Sequence, residues 1–154
     1  MVGEEPTEPM PMNDLLRGTP YRDIRVPGEA AEDAQVRHAL DLAARVGELM
    51  LRCGAGAPQV VGSVAAVAAS AGVDVIEVDI TLQSLHLQAV GPSGRTYSVL
   101  RVVRSTRHDH ARLTAVHGLV GAVVAGELSV PEATEELRRI KSHPRSWPLW
   151  VVSV

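Results

Sequence analysis

Phenylalanine is absent from this 154-residue chain, and its aromatic residues are two tyrosines and two tryptophans. A core must therefore be assembled from Val, Leu, Ile and Ala. At 45% hydrophobic residues there is enough of these for one domain of ordinary size. The same scarcity removes the aromatic platforms on which bases stack, and no basic patch of adequate size replaces them. Nucleic acid is not an expected partner. Cysteine occurs once, as Cys53, which excludes an internal disulfide and a structural zinc site built on cysteines. No run reaches the ~18–20 apolar residues of a membrane span. The N-terminus is acidic and proline-rich, without the basic stretch and apolar run of a secretory signal.

The net charge of −3 is spread unevenly. Residues 1–33 carry eight acids and three arginines, whereas residues 137–154 carry Arg138, Arg139, Lys141 and Arg145 and no acid. Residues 1–28 have five prolines and no apolar period, and are expected to form a disordered tail. From about Glu29 the pattern is helical. Ala39, Leu42, Ala43, Val46, Leu49, Met50 and Cys53 form one stripe. Asp33/Arg37, Asp41/Arg45 and Glu48/Arg52 are acid-before-arginine pairs four residues apart on the other side. Gly54-Ala55-Gly56 stops this helix, and Pro58 fits the first turn of a second, which runs to about Ala71 with Val60, Val64, Val67, Ala68 and Ala71 inward.

Alternation of period two follows. Ile76, Val78, Ile80 and Leu82 alternate with polar residues, then Leu85, Leu87 and Ala89 do so in the opposite parity. A tight turn or bulge is expected near Leu82–Ser84. Gly91–Gly94 is a hairpin turn, and Arg95 to about Arg104 reads as a third strand. Two helices close the chain. Asp109 caps one with Leu113, Val116, Val120 and Val123 inward. A Ser129/Glu132 capping box opens the other, with Ala133, Leu137 and Ile140 inward. The expected fold is α+β: a three-stranded antiparallel meander with helices on one face, in the order ααβββαα, over residues 29–146.

Few motifs carry chemistry. His108 and His110 flank Asp109, but residues two apart diverge on a helix, so joint metal ligation is awkward and a solvated helix start is the simpler reading. No metal and no cofactor are expected. Cys53 lies near the start of the second helix, which favours a thiolate. It also lies on the apolar stripe, which favours a buried structural cysteine. A small hydrolase using Cys53 or His110 is the weakest functional reading. Gly54–Gln59 joins two helices and lacks the Lys and Ser/Thr of a phosphate loop. The polar face of the sheet is the more interesting surface. Glu77, Asp79 and Thr81, with Ser84, His86 and Gln88, are expected beside a strand carrying Arg101 and Arg104. Such a face is either solvated or able to meet a polar zwitterion or a partner loop, with Asp79, Thr81, Ser84, Arg101 and Arg104 as ligand-binding candidates.

The C-terminal segment Ser142–Val154 passes from basic residues to Trp147 and Trp150 and then to an apolar run. This is the order found where a chain enters a bilayer from the cytoplasm. It also suits an edge strand over Leu149–Val154.

The stretches "LMLRCGAGAPQVVGSVAAVAASAG" (Leu49–Gly72), "EVDITLQSL" (Glu77–Leu85), "LRVVRS" (Leu100–Ser105) and "HPRSWPLWVVSV" (His143–Val154) together resemble the N-terminal domain of the threonine/serine exporter family in its actinobacterial form. The resemblance covers Ala39 to Val152 and rests on joint order, since none of the stretches is a catalytic signature. Many members carry a Thr and an Arg-Val-Glu run where this chain has Ala57 and Gln59-Val60-Val61, so no role is carried over to those positions. The resemblance implies a chain that continues into transmembrane helices and exports threonine and serine across the inner membrane, and it implies no enzyme. On that reading residues 29–146 are a soluble, membrane-proximal domain with a gating, assembly or ligand-sensing role. Residues 147–154 start a membrane-entering segment. Arg138, Arg139, Lys141, Arg145, Trp147 and Trp150 lie next to the membrane, and the basic cluster places the domain on the cytoplasmic side. The expected partners are the transmembrane helices of the same protein, threonine or serine, and a second copy in a homo-oligomer. The alternative is a freestanding α+β ligand-binding or dimerising module.

Overall fold

The computed structural model describes residues 15–21 and 32–142. Its elements are helix α1 (Asp33–Arg52), helix α2 (Ala57–Ser70), strands β1 (Ile76–Ile80), β2 (Ser84–Val90) and β3 (Thr96–Val102), helix α3 (His110–Val124) and helix α4 (Val130–Ser142). The architecture is the α+β order ααβββαα expected from the sequence.

Helix α1 is the centre of the molecule. Its expected stripe is buried, and so are Val36, Leu40 and Ala44, because α1 lies between the sheet on one side and helices on others. Gly47 permits this double approach. A Cβ there would stand 2.5 Å from Leu85 Cδ2 and 2.9 Å from Val64 Cγ2. The helix ends as its sequence dictates. Gly54 has φ +90°, and the carbonyls of Arg52 and Cys53 accept the N–H groups of Arg107 (2.8 Å) and Asp109 (3.3 Å). The strand-to-α3 connection thus satisfies carbonyls that a helix end leaves unpaired.

The sheet is a meander in the order β1-β2-β3, antiparallel throughout. Thr81–Gln83 makes the first turn, where the Thr81 N–H donates to Ser84 O at 2.9 Å. Ile76, Leu85, Leu87 and Ala89 are buried beneath the helices. The second hairpin is tied to the start of α1. The Asp33 carboxylate accepts from the Ser93 N–H (3.0 Å), the Ser93 hydroxyl and the Tyr97 hydroxyl (3.1 Å). Asp33 therefore serves the sheet rather than its helical neighbour Arg37.

Asp109 caps α3 by accepting from the Arg112 N–H at 3.0 Å. Ser129 caps α4, its hydroxyl accepting from the Glu132 N–H at 3.3 Å and donating to the Glu132 carboxylate at 2.8 Å. Ala133, Leu137 and Ile140 are the buried residues of α4. Within the stretch read as a tail, Leu15–Tyr21 packs on the body. Leu16 is 2% exposed, and Thr19 rests against Gly62 of α2. The rest of that stretch, and the segment from His143 onward with Arg145, Trp147 and Trp150, lie outside the described residues.

Candidate functional site

The register of the sheet divides the residues expected to share one face. Directly opposed residues of an antiparallel pair project to the same side. Asp79 pairs with His86 and His86 with Leu100, so these three form one row on the face away from the helices. Glu77, Gln88 and Ser98 form the next row. Arg101 pairs with Leu85, which is buried, and therefore projects toward α1. Arg101 does not stand beside Asp79, contrary to the sequence expectation. The cause is the phase of β3. Tyr97 and Val99 alternate correctly with Arg101, but Leu100 and Val102 are apolar on the other parity and disguise which face is inward. Both are more than half exposed. Thr81 and Ser84 lie at the first turn, where their hydroxyls bond each other at 2.7 Å and Thr81 Oγ1 also accepts from the Gln83 N–H. Arg104 is exposed beyond the end of β3.

On the helix side Arg101 joins a different group. Its guanidinium approaches Asp41 at 3.6 Å and Glu48 at 3.7 Å, both on α1. Glu48 thus faces β3 rather than the helical partner Arg52. Asp41 keeps its expected partner, Arg45, at 2.8 Å. At 3.7 Å the Glu48 contact is an ion pair without hydrogen-bond geometry, and Arg101 Nε is buried with no hydrogen-bond partner.

These side chains border a cleft of about 130 Å³ between α1, β3 and α4. Arg45 and Arg52 enter from α1, Arg101 from β3, and Arg138 and Lys141 from α4; Glu48 is the single acid of the lining. Leu49 and Leu137 form its apolar floor. A neighbouring hollow shares Arg52 and Lys141 and adds Arg107, Asp109 and Cys53. Sequence reading missed this cleft because its cations come from three separate elements. Four lie in the last turns or C-terminal half of two helices, where a cation already has a local role. The parity of Arg101 with Leu85 was the available signal.

Arg138 and Arg139, expected near a membrane, are each paired one helical turn back with Glu135 (3.4 Å) and Glu136 (3.5 Å). Cys53 is buried, and that burial, reinforced by the nearby Asp109 carboxylate, pushes its thiol above the ordinary value. The start of α2 does not generate a thiolate there. His108 packs over Gly54. Among the described residues no three His, Cys, Asp or Glu side chains gather as a metal site would need.

Fold and site together define a small α+β domain with a cation-lined surface cleft and a thiol held protonated. Residues 41–154 match the family model described as "Putative threonine/serine exporter", and the chain belongs to that family. It is also 28% identical over 123 residues to the "Probable threonine/serine exporter" of Mycobacterium tuberculosis (strain ATCC 25618 / H37Rv). That alignment covers 79% of this chain and 23% of the relative's length. No solved structure matches. No described helix is long and apolar enough to cross a membrane.

Proposed function

We propose that this chain is the membrane-proximal domain of an inner-membrane secondary transporter that exports threonine and serine. The family match over residues 41–154 carries the reading. A transport path needs spanning helices to wall it, and none of the described helices qualifies. The path therefore belongs to transmembrane helices of the same longer protein, and this domain gates, assembles or informs them. The export test compares a strain expressing the longer protein with one expressing it lacking residues 33–142. The first should export threonine, and the second should lose that export while remaining in the membrane. Unchanged export without the domain would remove any gating role.

Sensing of the transported amino acid is the finer part of the proposal. The sheet face offers Asp79 and His86 to an ammonium group and a hydroxyl, with Ser84 and Thr81 at the turn. Arg101 and Arg104 do not complete that group, since one lies on the opposite face and the other beyond the strand. Threonine at a hundred times its dissociation constant should raise the domain's stability by about 2.7 kcal/mol. Thermal denaturation with and without threonine reads this directly, and Asp79→Asn should abolish the rise. A flat titration leaves gating or assembly through contacts alone. The exposed Leu100 and Val102, opposite His86 and Ser84 on the same sheet face, favour assembly, including a homo-oligomer, over a purely solvated face.

A further inference from the structure

We infer that the cleft between α1, β3 and α4 binds a phosphate group. This goes beyond the transport reading and does not rest on it.

Charge is the first argument. The chain as a whole is acidic, at −3, yet the lining of this cleft holds Arg45, Arg52, Arg101, Arg138 and Lys141 against Glu48. Partnering is the second. Arg45, Arg101 and Arg138 each have an acid within 4 Å, whereas no acid of the described residues pairs with Arg52 or Lys141. Arg52 and Lys141 sit in the last turns of their helices, where one cation each would offset the helix dipole. That role does not bring them to one hollow, nor does it place Arg101 there from a strand. The third argument is the state of Arg101. Two acids at 3.6–3.7 Å hold its guanidinium in place at the cleft wall. A guanidinium fixed in this way loses little further side-chain freedom on meeting a phosphate.

Size selects the ligand class. The cleft measures about 130 Å³, and the adjoining hollow about 250 Å³. Sites for drug-sized molecules and cofactors run to ~300–1,000 Å³. The cleft by itself holds a single phosphate with a small substituent. Such a group comes either from a soluble phosphate ester or from the headgroup of an anionic lipid.

The test has two arms on this chain. In one, glycerol 3-phosphate is titrated against the melting temperature, with chloride at matched ionic strength as the reference. In the other, sedimentation is measured with phosphatidylglycerol vesicles and with phosphatidylcholine vesicles. Three variants are compared: Arg52→Gln/Lys141→Gln, Lys141→Gln alone, and Arg37→Gln. Arg37 is exposed on α1 and outside the lining. Binding in the first arm assigns a soluble ester, and binding only to phosphatidylglycerol assigns a lipid. In either case the double variant should weaken apparent affinity about tenfold or more, and Arg37→Gln should weaken it less than about twofold. If the double variant fails to fold, Lys141→Gln, at an exposed position, must still weaken binding severalfold. Binding in neither arm overturns the inference. So does equal weakening by Arg37→Gln, which would mark diffuse surface attraction.

Discussion

Asp33 shows how one side chain can be read correctly as helical and still be misassigned. It stands at the first position of α1, where an acid is favoured by the helix dipole, and four residues before Arg37. The structure spends its carboxylate on Ser93 and Tyr97 instead. The Ser93 hydroxyl, then the Ser93 N–H, then Tyr97 and the charge of Arg95 pull its pKa below the ordinary 3.8. A depressed carboxylate contributes stability that is complete above the unfolded pKa and fades as pH falls through the folded one. Asp33→Asn should therefore be less stable than the parent at pH 6. The gap should close as pH falls below about 4, where unfolded aspartates protonate. Urea denaturation of both proteins between pH 6 and pH 2 checks this, and a gap independent of pH would mean that the amide serves the hairpin equally well. Gly54 is the second residue with a definite expectation. Its φ of +90° is costly for any L side chain, and a Cβ would lie 2.5 Å from His108 Nδ1. Gly54→Ala should cost about 1–2 kcal/mol from the backbone alone, measured by the shift in urea midpoint. His108→Ala in the same background should recover only the steric share.

At the scale of elements, the legible parts were those whose signals agreed. The apolar stripe of α1, the Asp41/Arg45 pair, the glycine stops, the Ser129/Glu132 cap and the parity slip before Ser84 each point one way, and each is present; the Asp33/Arg37 and Glu48/Arg52 pairs are not, because the sheet takes both acids. Strand β3 was not legible in the same sense. Its sequence TYSVLRV is apolar on both parities from Val99 onward, so the strand could be found but its faces could not. Only the pairing of Leu85 with Arg101 decides them, and the candidate site moved with that decision. Nor does α1 announce that it is packed on several sides, because alanines and Gly47 look neutral in a pattern of charges. Close approach makes them necessary. Gly47→Val should destabilise by about 1–3 kcal/mol through overpacking against Leu85 and Val64, more than the helix propensity of valine recovers over glycine. Chemical denaturation reads the loss; a neutral or stabilising result would show that α1 and β2 can part without penalty.

At the scale of the whole molecule, we propose that this domain lies on the cytoplasmic side of the membrane. The proposal rests on Arg138, Arg139, Lys141 and Arg145, close before Trp147. The first two are paired with glutamates, but the bias that orients membrane proteins counts Lys and Arg near the span, and acids contribute little to it. Their pairing therefore leaves the argument standing. The fold supplies a reporter for it. Leu82, at the tip of the β1–β2 turn, is fully exposed, whereas Cys53, the chain's one cysteine, is 4% exposed and its thiol is held protonated. Leu82→Cys, in the longer protein with Cys53→Ala, places one reactive thiol on this domain without touching the core. A membrane-impermeant maleimide should label it quickly in inside-out vesicles and scarcely at all in right-side-out spheroplasts. Cys53 in the parent should react slowly in both until denaturant is added. Fast labelling of the Leu82→Cys thiol in spheroplasts would place the domain outside, and would take with it the reading of the basic cluster as a cytoplasmic anchor.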